Sequence, residues 1–198
     1  MEKIGEGLQY HVFLVDEDTV KKFPKSRDEM LETIRQWESR EEEVEDLVEK
    51  GVKRRRKTVR KLKDSDLPVE NLFGITGFDG EKVLQKKMTP VEEFEEKSFE
   101  EIVDDYIDLL EELWRHGVGD TIYNFTINNG YRNGEIFQMD FGEIVFDRER
   151  VRRETREEKW LEKWSYSEDL DTRERKVFRS KMDERVYVER FQRIWNSK

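Results

Sequence analysis

Three oxygen-bearing side chains, Asp120, Asn124 and Asp140, have types and a spacing that could bind a metal ion. The apolar runs NFTI and EIFQMDF flank NNGYRNG and predict a β-hairpin. Folding this hairpin about residue 132 places Asn124 and Asp140 side by side, because both are equally far from the turn. Carboxylate and amide oxygens are ligands that Mg²⁺ prefers, whereas the alternative reading is that these residues only form turns.

A second group of residues near the N-terminus has the types that bind phosphate. Gly5 and Gly7 precede the strand-like run HVFLV, and Lys21 and Lys22 lie in the next run, TVKKF. Glycines let backbone N–H groups approach a phosphate closely, and a lysine offsets its charge. The spacing therefore indicates a phosphate-binding turn followed by a lysine-bearing strand.

The first 88 residues read as strands interrupted by one helix. HVFLV and TVKKF form a hairpin around Asp16–Asp18, and a further strand is expected before them. Apolar residues at helical spacing predict one long helix from Ser26 to Lys50, ended by Gly51. Asp79-Gly80 between two apolar runs predicts a second hairpin.

The remaining residues, 89–198, read as mainly helical. Ser98 and Glu101 form a capping-box pattern that begins a helix, and Gly117 ends it. After the third hairpin, the last 50 residues predict further helices, including a final amphipathic one over 178–195. Trp160 and Trp164 fall on one helical face and are expected to anchor the core.

Composition excludes several classes of site. The chain has 198 residues and no cysteine, which excludes disulfides, thiolate zinc sites and cysteine nucleophiles. His11 and His116 are the only histidines, so a multi-histidine metal site is not expected. No apolar run reaches the ~18 residues of a membrane span, and the N-terminus lacks a signal-peptide core. We therefore expect a soluble cytoplasmic protein without a membrane partner.

Charge is unevenly distributed along the chain. The net charge is −10, but Lys53–Lys63 contains eight basic residues and no acid, which leaves about −18 for the remainder. An acidic body with one basic block is not typical of a general nucleic-acid binder. The block is either a solvated helix end or a contact for nucleic acid or another acidic partner.

Taken in order, the motifs over residues 4–146 resemble the protein kinase-like superfamily. IGEG–HVFLV resembles the glycine-rich loop, VLQKKM the strand and hinge that contact adenine, HGVGDTIYNFTI the catalytic loop, and MDFGE the metal-binding segment. The compact size and VKKFPKSR resemble the small atypical kinases of the Rio and related archaeal types. The resemblance implies an α+β, two-lobed protein kinase-like fold: an antiparallel-sheet N-lobe with one long helix (1–88) and a reduced, mainly helical C-lobe (89–198).

The resemblance also implies ATP and Mg²⁺ as cofactors and a role for each matching residue. Phosphoryl transfer depends mainly on positioning and charge neutralisation. Asp120 would orient the attacking hydroxyl and accept its proton, and Asn124 and Asp140 would hold the metal. The nucleotide-binding residues would be Gly5, Gly7, the strand lysine Lys21 with Lys22 as its alternate, Glu43 paired with that lysine, and Lys86, Lys87 and Met88 at the hinge.

The motifs depart from the family pattern and leave three functions open. The third glycine of the loop is replaced by Tyr10, and Asp120 precedes Asn124 by four residues where the family usually has five. An ATP-dependent protein serine/threonine kinase is the first prediction. The alternatives are a nucleotide-binding pseudokinase scaffold and a nucleic-acid-associated protein that uses Lys53–Lys63. The hydroxyl acceptor could also be a small molecule, as in kinases of the aminoglycoside and lipopolysaccharide-core types.

Overall fold

A computed structural model describes residues 1–36, 38, 40–120, 124–142, 144–161 and 170–197. The chain divides into two compact units, Met1–Lys87 and Met88–Lys198, called here the first and second units. This division falls one residue before the boundary predicted from the sequence. The described residues form an α+β structure, and none of its helices is long and apolar enough to cross a membrane.

The first unit contains a five-stranded antiparallel sheet with the order β1-β2-β3-β5-β4. Both predicted hairpins and the additional first strand are confirmed. Gly80 adopts a positive φ of 62° in the second hairpin turn, which suits glycine. The strands are β1 (Glu2–Glu6), β2 (Tyr10–Leu14), β3 (Thr19–Pro24), β4 (Ile75–Asp79) and β5 (Lys82–Lys86).

Two helices replace the single helix predicted over 26–50. Ser26 caps α1 (Arg27–Ile34) through a capping box with Glu29, and α2 (Glu41–Asp64) follows after a break. Within this unit, α1 and α2 pack through Met30, Leu31, Ile34, Val44 and Val48. A short helix, α3 (Val69–Phe73), then leads into β4.

Gly51 does not end the helix, contrary to the prediction. It is buried inside α2, where a Cβ atom would lie 2.9 Å from Cε of Met30. Glycine therefore allows α1 and α2 to approach closely, and the helix continues through the basic block to Asp64. The sequence pattern of a helix-ending glycine was misleading because packing, rather than a left-handed turn, requires the missing side chain.

The second unit is mainly helical and contains a small antiparallel sheet with the order β6-β7-β8. Its strands are β6 (Thr89–Pro90), β7 (Asn129–Arg132) and β8 (Glu135–Gln138). Short 3-10 turns cover Val91–Glu93 and Lys159–Leu161. Its helices are α4 (Phe99–Arg115), α5 (Phe125–Asn128), α6 (Arg148–Arg156), α7 (Thr172–Arg185) and α8 (Val188–Trp195).

Aromatic side chains from α4, α5, α7 and α8 form the core of this unit. Phe125 stacks on Phe178 with ring centroids 4.9 Å apart, and Tyr106 packs against both. The Ser98–Glu101 capping box at the start of α4 is confirmed. Trp160 is buried in this core, as expected, whereas Trp164 lies outside the described residues.

The final helix is shorter than predicted. Instead of one helix over 178–195, α7 ends at Arg185 and α8 begins at Val188. Val186 and Phe191 are both buried in the same core. The helices on either side of the break, α7 and α8, both pack against α4.

Candidate functional site

The third hairpin has a different register from the predicted one. Its turn is Asn133-Gly134, with φ of 53° and 78°, and Asn129 pairs with Gln138. The predicted cross-strand pair of Asn124 and Asp140 is therefore wrong. Of the two Asn-Gly sequences in this segment, the second forms the tight turn, because such a turn needs positive φ at both central residues.

Asn124 lies at the start of α5 and in no strand. Phe125, which follows it, is fully buried against Phe178, and this packing favours a helical turn over the strand predicted for NFTI. The hydroxyl of Thr126 donates to Oδ1 of Asn124 at 3.4 Å. Tertiary packing thus overrides the β-propensity of this segment.

Main-chain hydrogen bonds nevertheless connect Asn124 and Asp140 through Asn128. The N–H of Asn128 donates to the carbonyl oxygen of Asn124 at 3.0 Å. The N–H groups of Met139 and Asp140 both donate to the carbonyl oxygen of Asn128, at 2.7 and 2.9 Å. The segments that carry the two predicted metal ligands are therefore tied together by backbone bonds, by a route the sequence did not predict.

Asp120 is positioned by a bridge between two segments of the second unit. Gly119 and Val145 exchange two main-chain hydrogen bonds of 2.8 Å each, which joins the residue before Asp120 to the segment after Gly142. The Asp120 side chain is 1% exposed, and the hydroxyl of Tyr106 donates to its Oδ2 at 3.5 Å. The predicted catalytic carboxylate is thus buried.

Close packing requires glycine next to Asp120. A Cβ atom at position 119 would lie 2.2 Å from Cγ2 of Val151 on α6. The backbone at Gly119 is therefore in direct contact with the core side chain of Val151. This contact sets the distance between α6 and the segment that carries Asp120.

Asp140 has one carboxylate oxygen held and one without a hydrogen bond. Its Oδ1 accepts the N–H of Gly142 at 2.8 Å, while Oδ2 has no hydrogen-bond partner among the described residues. Both Asp140 and Asn124 are partly exposed. A partly exposed carboxylate and a partly exposed amide supply oxygen ligands of the types that Mg²⁺ prefers, and Mg²⁺ retains several water or phosphate ligands beside them.

Asn129 and Gln138 form a pair of buried amides that the sequence did not identify as site residues. They are direct cross-strand partners, 0% and 1% exposed, and Oδ1 of Asn129 and Oε1 of Gln138 accept no hydrogen bond within the described part of the chain. Nε2 of Gln138 donates to the carbonyl oxygen of Asp140 at 2.7 Å. Unpaired buried oxygens are uncommon, so this end of the hairpin stands out beside Asp140. Equal distance from Asn133-Gly134 was the signal that could have found this pair.

In the first unit, the predicted ion pair between Lys21 and Glu43 is wrong. Nζ of Lys21 lies 3.1 Å from Oδ2 of Asp79, and Glu43 pairs with Arg40 in the first turn of α2. Hydrogen bonds from Lys21 and Lys82 lower the pKa of Asp79 below its usual range. Strand alternation explains the difference, because Lys21 and Phe23 occupy the more exposed face of β3.

Lys22 occupies the opposite, buried face of β3. It is 7% exposed, follows Val20 on that face, and lies opposite Val12 and Val83 in the neighbouring strands. Lysine is rarely buried to this extent in folded proteins. Of the two candidate lysines, the alternate one is therefore in the more unusual environment.

Gly5 and Gly7 lie at the exposed end of the first hairpin. Gly5 is in β1, and the N–H of Gly7 donates to the carbonyl oxygen of Tyr10 at 2.9 Å to close the turn into β2. No atom lies within 4 Å of a Cβ placed at either glycine. Neither packing nor a positive φ requires glycine here, which leaves an open backbone surface that a ligand could approach.

The predicted hinge residues lie at the boundary between the two units. The N–H of Lys86 donates to the carbonyl oxygen of Gly74, and that of Lys87 to Asp18, both at 2.8 Å. Nζ of Lys86 also pairs with Glu70 at 2.9 Å. Two of the three predicted hinge residues, Lys86 and Lys87, thus use their backbone N–H groups within the protein. Of the three, Met88 is left as the predicted hinge residue whose backbone N–H would contact a nucleotide.

Comparison with known proteins assigns this chain to no protein family. No protein-family model matches the sequence, and no curated protein matches it either. Over the described residues, no group of three or more His, Asp or Glu side chains is arranged to hold a metal ion. The candidate site therefore depends on its own geometry.

Proposed function

We propose that this chain is a Mg²⁺- and ATP-dependent phosphotransferase of the protein kinase-like superfamily that acts on protein serine or threonine. One observation carries the proposal: backbone hydrogen bonds over residues 119–145 tie together the segments bearing Asp120, Asn124 and Asp140. The order of motifs along the sequence adds support. So does the antiparallel sheet of the first unit, which carries the glycine turn and the lysine strand.

In this proposal, the second unit supplies the metal ligands and the proton acceptor. Bound Mg²⁺ would neutralise charge on the nucleotide phosphates. Asp140, oriented by the N–H of Gly142, presents Oδ2 as one ligand, and Asn124 presents its amide oxygen as another. Asp120 accepts the proton of the acceptor hydroxyl as its oxygen bonds to the γ-phosphorus and ADP leaves.

The first unit would supply the phosphate-binding lysine, and its environment favours Lys22 over Lys21. Lys21 lies on the more exposed face of β3, where solvent screens its charge, whereas Lys22 is 7% exposed. A nearly buried ammonium is held where its charge is least screened, so it interacts more strongly with an anion. We expect Lys22→Met to weaken ATP binding by about tenfold, which corresponds to ~1.4 kcal/mol. Lys21→Met, the matched control on the same strand, should leave the ATP affinity within about twofold.

A thermal-shift titration with ATP and Mg²⁺ tests nucleotide binding. At one hundred times Kd, ligand binding should stabilise the protein by ~2.7 kcal/mol. Asp140→Asn should remove the Mg²⁺-dependent part of the shift, while Glu135→Gln, an exposed acid on the same hairpin, should retain it. Absence of any shift in the unsubstituted protein would refute both nucleotide-binding functions.

Radiolabelled ATP tests transfer to the chain itself or to a generic protein acceptor. We expect slow incorporation of the γ-phosphate that Asp140→Asn and Asp120→Asn both abolish. Aminoglycosides and lipopolysaccharide-core sugars, offered as alternative acceptors, test the small-molecule version of the same reaction. Label appearing only on sugars would reassign the acceptor without changing the site.

The burial of Asp120 favours a nucleotide-binding pseudokinase as the second candidate. A carboxylate that is 1% exposed and receives a hydroxyl from Tyr106 has the environment of a core residue. In a pseudokinase, ATP would stabilise the fold, no phosphate would be transferred, and Asp120→Asn would lower stability without changing ATP affinity. In an active kinase, the same substitution would abolish transfer.

A further inference from the structure

The second half of α2 presents a row of basic side chains on one exposed face. Lys53, Arg56, Lys57, Arg60 and Lys63, called here the basic ridge, are all exposed and are separated by three, one, three and three residues. Residues at such spacing share one face of a helix. Ten residues of helix span ~15 Å, so the basic ridge is a continuous positive strip of that length.

Most of these basic side chains have no ion pair among the residues that the structure describes. Arg56 pairs with Glu81 at 3.0 Å. Lys53, Lys57, Arg60 and Lys63 make no hydrogen bond or ion pair with any residue that the structure describes. Their neighbour Arg55 differs, because it is 5% exposed and donates to the carbonyl oxygens of Gln9 and Lys25. Arg55 therefore serves the fold, and four ridge cations remain for a partner.

The basic ridge forms one wall of an open groove of about 990 Å³ within the first unit. The turn at Gly80-Glu81 and the side chain of Arg27 also line it, and Val48, Val52 and Val59 contribute apolar atoms. Two further acids, Glu49 and Asp64, are among the lining residues, so the basic side chains outnumber the acidic ones without excluding them. None of the described residues that line the groove is aromatic. Proteins that bind single-stranded nucleic acid stack bases on aromatic rings, so this groove lacks the means to hold a single strand by its bases.

Charge and composition favour a polyanion over a second protein surface. A protein interface needs an apolar centre, and exposed ion pairs contribute only about 0–1 kcal/mol each. Binding to a nucleic-acid backbone draws its free energy from counterion release and needs no apolar surface. A duplex carries one charge per ~1.7 Å with both strands counted, so ~15 Å of duplex carries about nine phosphates, more than the four ridge cations.

We propose that the basic ridge binds the phosphate backbone of a nucleic-acid duplex without reading its sequence. Four ridge cations contacting phosphates predict a slope of about −4 for log K against log salt concentration. Because only four cations contact the backbone and their contribution falls steeply with salt, binding should be measurable only at low salt. This inference is independent of the phosphotransferase proposal, since it concerns residues that have no part in that reaction.

Fluorescence anisotropy with labelled 20-base-pair DNA and RNA duplexes, at 25 to 200 mM salt, tests the proposal. Lys53, Lys57, Arg60 and Lys63 are changed together to Gln, which preserves helix propensity. The matched control changes Arg173, Arg175, Lys176 and Arg179, exposed on α7, to Gln, so that both variants lose four positive charges. Circular dichroism checks that each variant is folded.

We expect the ridge variant to lose at least about tenfold in duplex affinity and most of the salt dependence. The α7 control should stay within about twofold of the unsubstituted protein, and a variant that exchanges Lys for Arg and Arg for Lys along the ridge should bind normally. DNA and RNA duplexes that bind equally support backbone recognition. Equal losses in the ridge and α7 variants, tighter binding of single strands, or equal binding of poly-glutamate would each overturn the proposal.

Discussion

The two units position their candidate residues by different means. In the second unit, backbone hydrogen bonds at Gly119–Val145 and at the carbonyl of Asn128 place the segments of Asp120 and Asp140. In the first unit, Lys21 and Glu43 are engaged in side-chain ion pairs with other residues. Exposed ion pairs contribute little and exchange easily, whereas backbone bonds do not depend on rotamers. The difference means that the candidate residues of the second unit lie on backbone segments joined by hydrogen bonds, whereas those of the first unit are side chains that can change partners.

The largest expected effect is on the backbone-positioned site. Gly119→Ala places a Cβ atom against Val151, so we expect a loss of ~3 kcal/mol in the free energy of unfolding. Urea denaturation followed by tryptophan fluorescence measures it, because four of the five tryptophans belong to the second unit. Combining Gly119→Ala with Val151→Ala should cost less than the sum of the two single changes, since the second removes the clashing methyl groups.

Gly5→Ala serves as the control for this effect, because nothing lies within 4 Å of its added methyl group. It should change stability by less than ~0.5 kcal/mol. If Gly119→Ala were equally harmless, Val151 would not fix the Asp120 segment, and the contrast between the units would weaken.

An intermediate effect is expected at Arg55, the buried arginine of the basic block Lys53–Lys63. Arg55→Met removes the donor of two buried carbonyl oxygens, at Gln9 and Lys25, and should cost ~2 kcal/mol. Arg55 and Arg56 both pair with Glu81, at 3.3 and 3.0 Å. Arg56 is exposed, so Arg56→Met should cost less than ~0.5 kcal/mol in the free energy of unfolding.

Hydrogen-exchange mass spectrometry separates this effect by unit. Faster exchange in Arg55→Met should be confined to peptides of the first unit, with the second unit unchanged. Equal stability of the two arginine variants would show that the hydrogen bonds of Arg55 do not stabilise the first unit, which would contradict the structural role assigned to Arg55.

The smallest effects concern pH, and we expect opposite signs at two carboxyls, one in each unit. Hydrogen bonds from Lys3 and Lys25 lower the pKa of Glu6 from 4.5 to about 2. The unfolded carboxyl therefore takes up its proton first as pH falls, so this stabilisation is full above pH 4.5 and is lost towards pH 2. Burial instead raises the pKa of Glu154 in the second unit, so its ionised form weakens the fold as pH rises above 4.5.

Thermal unfolding of Glu6→Gln and Glu154→Gln between pH 7 and pH 2 checks these signs. Glu6→Gln should be slightly less stable than the unsubstituted protein at pH 7, and the gap should close as pH falls through the window from 4.5 to 2. Glu154→Gln should be at least as stable at pH 7, and its advantage should shrink on acidification. Parallel curves for the two variants would contradict the assigned causes.

Local patterns predicted the elements well, and long-range packing accounts for the errors. The β-branched and aromatic residues of HVFLV and TVKKF, the Asp79-Gly80 turn and the Ser98–Glu101 box each predict an element within a few residues. The prediction that Gly51 ends the helix is wrong because the side chain that packs against it, Met30, belongs to another helix. Phe125 was placed in a strand because its packing against Phe178, 53 residues away, cannot be read from local sequence.

The candidate site shows the same limit. Residue types identified Asp120, Asn124 and Asp140 as candidates. The connection between Asn124 and Asp140 passes through backbone atoms of Asn128, and Asp120 is positioned by the backbone bridge between Gly119 and Val145, so neither connection can be read from side-chain types. The choice between Lys21 and Lys22 likewise depended on which face of β3 is covered. A lysine follows the same rule of strand alternation as its apolar neighbours, so β3 places Lys22 on the buried face and Lys21 on the more exposed one.

The charge distribution of α2 has a consequence for how the chain folds. The helix begins at Glu41, and its N-cap residue Arg40 makes no side-chain capping hydrogen bond. Six acidic residues of the helix precede Lys50, and eight basic residues follow Gly51. Each sign lies at the end that the helix macrodipole favours. Because these interactions are local in sequence, the helix can form before the slower pairing of distant strands. We therefore expect α2 to form early, before the strands of the five-stranded sheet pair.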